Sequence, residues 1–152
     1  MRAEMKKDEP IREEDQAWAE LREVVEGLPP DAVLEDGYQP GWSVKDLLAH
    51  LACWMAEAAQ ALQQMRMGTY QDPHLDEDAE NARFYEACRE LDLHDVWAQL
   101  HSSRARMLEE LDLLPEDRLD KHAVSWFRDS GAEHYREHLP RLREWLGELS
   151  AR

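Results

Sequence analysis

The stretch SVKDLLAHLACWMAEAAQALQQMRMG, residues 43–68, opens on a serine and closes on a glycine. Ser43 is a good N-cap, and Asp46 three residues later makes a shortened capping box. Leu47, Leu51, Trp54, Ala58, Ala61, Leu62 and Met65 recur at 3.6-residue spacing, the mark of an amphipathic helix that ends at Gly68. His50 falls within that apolar face rather than opposite it.

The same pattern extends in both directions along the chain. A first helix is expected from about Pro10 to Gly27, with Ile11, Trp18, Leu21, Val25 and Leu28 as its stripe and GLPP as its stop. The loop LEDGYQPGW that follows is too rich in Gly and Pro for helix. Beyond Gly68 a polar connection leads to a short helix near Asp78–Leu91. A longer helix then runs near Asp95–Leu114, striped by Trp97, Leu100, Met107, Leu108 and Leu111. Residues 114–131 read as mostly irregular, with one helical turn after Pro115. A last helix near 131–149 carries His134, His138, Leu142, Trp145 and Leu149. The expected fold is all-α: a four-helix bundle with an extra short helix in the long central connection. Residues 1–152 form one domain in this reading, with residues 1–9 frayed.

The chain has 152 residues, 43% of them hydrophobic, enough for a core of ordinary size. Its formal charge of −16 repels phosphate backbones and anionic membranes and attracts divalent cations. No nucleic acid or membrane partner is therefore expected. The N-terminus has no apolar run of the secretory kind, and no segment is apolar enough to span a bilayer. Cys53 and Cys88 lack motif spacing and read as small buried residues in a reducing compartment, not as a disulfide or a redox pair. The expectation is a soluble cytoplasmic protein.

In the last helix EHYREHLPRLREWL, residues 133–146, His134 and His138 stand four apart and share a face. Seven histidines in a chain of this length give about 0.3 such pairs by chance, so the pair alone is a weak signal. The stretch HYREH also lacks the glutamate that follows the first histidine in zinc peptidases. His50 adds weight, because an unpartnered polar group on an apolar face costs roughly 1–3 kcal/mol. It is either a core histidine held by a carbonyl or carboxylate, or a third imidazole meeting the other two. His50 lies about 10 Å along its helix, and His134 and His138 about 6 and 12 Å along theirs. Those depths match if both helices begin at the same end of the bundle. His74, His94, His101 and His122 read as surface histidines.

The segments GWSVKDLLAHLACW (41–54), NARFYEACREL (81–91) and EHYREHLPRLREWL (133–146) together resemble the DinB-like superfamily, over Trp18 to Leu146. The resemblance implies a four-helix bundle with a long middle connection. It also implies a divalent metal, nickel or zinc, held by one histidine of the second helix and two of the last: His50, His134 and His138. Activities in that superfamily include thiol-dependent isomerases and transferases and proteins that protect cells from reactive small molecules.

Three neutral imidazoles would leave a cation its full charge, able to acidify a water or position a cofactor thiol. Affinity would then fall as pH drops below about 6.5, where imidazole protonates. Cys53, three residues from His50, is either a nucleophilic or ligating thiol or a packed one. Glu57, two turns after His50, is a hydrogen-bond acceptor, a fourth ligand, a proton shuttle, or an edge residue. Trp42, Trp54, Tyr85, Trp126 and Tyr135 line a pocket beside the metal or simply pack. Two functional classes follow. One is a metal-dependent transferase or hydrolase acting on a small molecule in stress or detoxification, with a low-molecular-weight thiol as a second cofactor. The other is a non-catalytic bundle, without a functional metal, that binds a ligand or forms a homodimer through its helix faces.

Overall fold

The computed structural model describes residues 6–152, which are helical with no strand among them. Seven α-helices follow in order: α1 Asp8–Glu26, α2 Pro30–Leu34, α3 Val44–Met67, α4 Glu77–Cys88, α5 Leu93–Leu113, α6 Lys121–Ser130 and α7 Ala132–Ser150, with a 3₁₀ turn at Glu116–Arg118. The four long helices match the expected ones to within about three residues. Of the residues expected to fray, 1–5 lie outside those described. Asp8 and Glu9 instead form the first turn of α1, where their charges complement the helix dipole.

α3 is the axis of the bundle, and its start is chemically explicit. The Asp46 amide donates to the Ser43 hydroxyl at 3.2 Å, and the Ser43 amide donates to the Asp46 carboxylate at 2.9 Å, completing the capping box. Its end is Gly68, whose φ of 75° is left-handed, a conformation that costs glycine little. Between them α3 is buried almost all round: Leu47, Leu48, Leu51, Met55 and Leu62 are fully enclosed. It packs most extensively on α5 and also on α6 and α4, while α1 packs on α7. Leu21, Leu100, Met107, Leu111, Phe127 and Leu142 supply the rest of the centre. The stripe read from the sequence is right in α3 except at Trp54, which is half-buried while Met55 takes the core position.

Two elements depart from the sequence reading. The five-residue α2 occupies part of the loop after GLPP, where Pro30 fits a first helical turn. More consequentially, residues 121–130 are α6 rather than irregular chain. Asp120 caps it, accepting from the Ala123 amide at 3.0 Å, and Ala123, Phe127 and Ser130 form its buried stripe. Val124 and Trp126 lie half-buried beside them, so the segment is amphipathic, but its ten residues span fewer than three turns and packing holds it.

α6 turns directly into α7 at Gly131, the residue that sets where His134 stands. The Tyr135 amide donates to the Gly131 carbonyl at 2.9 Å, which begins α7. A Cβ at Gly131 would lie 2.9 Å from the Phe127 carbonyl oxygen, 3.3 Å from Glu14 Cγ and 3.4 Å from Met107 Cε. Glu14 cannot move aside easily, because it is fully buried and accepts from Arg104 Nε, which is itself stacked 4.7 Å over the Trp18 ring. Gly131→Ala should therefore destabilise the fold by about 1–3 kcal/mol through overpacking. Urea unfolding checks this, and an unchanged midpoint would contradict it.

Candidate metal centre

α3 and α7 are not among the closely packed helix pairs, and their side chains fill the space between them. His50 projects from α3 and His134 and His138 from successive turns of α7. The three meet. His50 Nε2 and His134 Nε2 are 3.0 Å apart, and the ring centroids are separated by 4.8 Å (50–134), 5.6 Å (50–138) and 5.1 Å (134–138). One nitrogen from each ring lies within 4.8 Å of the other two, so the three form a group that could hold a metal ion.

Burial governs their charge. His50 and His134 are each only 8% exposed. Desolvation, with a further push from His138, lowers His50 to about 4. Desolvation, with His50 and His138 behind it, lowers His134 to about 3, and desolvation alone lowers His138 to about 4. All three rings are neutral at pH 7, the form whose lone pair can coordinate.

The outer contacts are uneven. His138 Nδ1 is 2.9 Å from the Tyr38 hydroxyl, which fixes the ring with Nε2 free on the other side. Burial raises the Tyr38 phenol well above its ordinary range, so it remains a neutral hydrogen-bonding group. His50 Nδ1 and His134 Nδ1 have no hydrogen-bond partner among the described residues. The donor set suits zinc or nickel, three imidazoles with space for a further ligand, but only His138 has an outer partner of the usual kind.

Sequence reasoning missed Tyr38, because it lies in the Gly- and Pro-rich loop before α3. The loop is tied to α7 by Arg141, whose guanidinium donates to the carbonyls of Tyr38 and Gly37, the latter at 2.9 Å. Within it the Trp42 amide donates to the Gln39 carbonyl at 2.9 Å. The tight turn presents Tyr38 to His138 and Trp42 to His50, with the Trp42 and His50 rings edge to face at 5.2 Å. An aromatic residue between turn formers just ahead of a capped helix was the only available hint.

Above the histidines opens a cavity of about 610 Å³, walled by Trp42, Trp54 and Trp126 and edged by Asp72, Glu77, Asp129, Glu133 and Glu137. Of the other expected lining residues, Tyr85 stacks behind Trp42 at 5.8 Å. Tyr135 is fully buried, its hydroxyl donating to Met55 Sδ at 2.9 Å, and packs rather than lines. Glu57 faces Arg83 at 3.8 Å, apart from the cavity, so the edge reading is the correct one. Cys53 also lies outside the cavity, 3.7 Å from Cys88. His74, His94, His101 and His122 are exposed, as expected, although His122 is on α6.

Comparison with known proteins agrees with this architecture. No curated protein matches the chain. Among solved structures, an uncharacterised protein from Escherichia coli UTI89 is similar, with a TM-score of 0.79, 19% identity and 94% of each chain covered. That likeness shows the fold. The family model described as the mycothiol maleylpyruvate isomerase N-terminal domain matches residues 15–147, from the middle of α1 to near the end of α7. The chain belongs to that family, and through it to the DinB-like superfamily.

Proposed function

We propose that His50, His134 and His138 bind one divalent cation, nickel or zinc, and that the protein is a metal-dependent enzyme joining or rearranging a small molecule with the help of a low-molecular-weight thiol. The observation that carries this reading is the convergence of three neutral imidazoles at the floor of a cavity of about 610 Å³. The family's name, which speaks of a thiol and an isomerase, supports the thiol-dependent class.

A divalent cation there would supply Lewis acidity, favouring the ionised form of a thiol or water. The chain's own residues do the rest. Tyr38 holds the His138 ring in one orientation. The indoles of Trp42, Trp54 and Trp126 offer apolar walls for the substrate body in a cavity whose remaining lining is largely polar. Glu133 and Glu137, on α7 beside the histidines, stand at the rim as proton acceptors open to solvent. A role against reactive small molecules in the cytoplasm fits this chemistry.

Protein purified without an affinity tag should hold about one nickel or zinc ion per chain. His134→Ala should lose it while keeping its helical circular dichroism, since apolar stripes hold the bundle. Tyr38→Phe should weaken metal affinity roughly 10–100-fold, the usual effect of removing a ligand's outer partner. Wild-type protein that takes up neither ion, even at millimolar supply, would refute the centre. Burial also shifts the proton competition expected from free imidazole near 6.5. With His50, His134 and His138 lowered to about 4, 3 and 4, metal affinity should be insensitive to pH down to about pH 5 and fall steeply only below pH 4.

The metal-free protein gives a separate pH test. Its unfolded histidines take up protons below their ordinary 6.5, whereas the folded ones resist until about 4. Folding stability should therefore be flat in this respect above 6.5 and fall between 6.5 and 4, by at least about 2 kcal/mol. Relaxing the −16 charge works in the opposite direction. Replacing His134 by Gln should lessen the fall, and equal pH profiles for the two proteins would contradict the assignment.

A further inference from the structure

Cys53 and Cys88 are 35 residues apart in sequence, yet their sulfurs are 3.7 Å apart. Both are free thiols, Cys53 half-buried on α3 and Cys88 buried as the last residue of α4. A disulfide needs sulfurs near 2.05 Å, a closure of about 1.7 Å between two helices that already pack on each other. Cys53 also borders a shallow hollow of about 430 Å³ between α3 and α5, floored by Ala52, Ala56 and Ala98, through which a small oxidant reaches it.

We propose that Cys53 and Cys88 form a reversible intramolecular disulfide, driven by peroxide, that clamps α4 as one wall of the histidine cavity. Cys53 sulfur attacks one peroxide oxygen, the O–O bond breaks, and a sulfenic acid forms as water leaves. Cys88 sulfur then attacks that sulfenyl sulfur, the S–S bond forms, the S–O bond breaks, and a second water carries off the remaining thiol hydrogen. Two thiols are oxidised and one peroxide is reduced. Burial, reinforced by the Cys88 thiol, pushes the Cys53 thiol up, so the step is slow and responds to sustained oxidant.

The clamp matters because α4 is thinly anchored. Phe84 and Cys88 are its only buried residues. Of its other ties, Arg83 faces Glu57 and the Tyr85 hydroxyl donates to the Gly41 carbonyl. Two lead to the cavity: Asn81 accepts from the Trp54 indole at 2.7 Å, and Tyr85 stacks on Trp42, which in turn meets His50. A helix with so few buried contacts opens easily, and a covalent bond at its end would suppress that opening.

The test uses reduced, metal-free, full-length protein treated with excess hydrogen peroxide. Peptide mapping without reductant should find Cys53 joined to Cys88 within one chain, both thiols disappearing together and returning with dithiothreitol. Amide exchange over residues 77–88 should slow at least about tenfold, and Tm should rise by roughly 10 °C for a loop of this length. In Cys88→Ser, Cys53 should stop at a sulfenic acid trapped by dimedone. Over-oxidation of Cys53 with Cys88 intact, or cross-links only between chains, would overturn the disulfide. A disulfide without slower exchange in α4 would overturn the clamp.

Discussion

The structure turns on the cost of gathering three ionisable rings at the largely buried floor of a cavity. Each buried imidazole nitrogen left without a partner costs roughly 1–3 kcal/mol, and two such nitrogens belong to His50 and His134. Helix–helix packing bears that cost. α3, enclosed on nearly every side, and α7, pinned at its start by Gly131, are stiff enough to keep the rings together. Apolar residues at these positions would pack with less strain. The arrangement makes physical sense as a site where lone pairs are kept neutral and ready for a ligand, at a standing expense in stability.

Around this centre the fold divides its labour. α1, α3, α5 and α7 supply a rigid frame, joined at depth by the Glu14–Arg104 pair. The loop before α3, held to α7 by Arg141, brings Tyr38 and Trp42 to opposite sides of the histidines. α4 and the chain leading to it close the cavity from outside with little burial. The part that orients the rings is thus the stable part, and the part that borders the cavity is the loosely held one. The carboxylates at the rim add to a negative field that draws cations towards the rings.

Much of this was legible in the sequence because it rests on periodicity and caps. Ser43, Asp46 and Gly68 mark α3 within a residue, and the position of His50 on its buried face follows from spacing alone. His134 and His138 share a face for the same reason. Their meeting with His50 required knowing which helices start at the same end, which the family resemblance supplied and periodicity did not. α6 stayed hidden because its ten residues are too few for an apolar stripe to recur over several turns. Tyr38 and the Cys53–Cys88 approach stayed hidden because both join elements distant in sequence, and no local pattern encodes such a contact.

The central claim is that three imidazoles, and no cysteine, gather around one cation. X-ray absorption at the metal edge, on protein loaded with one equivalent of zinc, tests it most directly. The account predicts nitrogen or oxygen scatterers at about 2.0–2.1 Å, with the outer-shell signature of three imidazole rings. A sulfur shell near about 2.3 Å, placing the ion on Cys53 and Cys88, or a signature of fewer than three imidazoles, would contradict it.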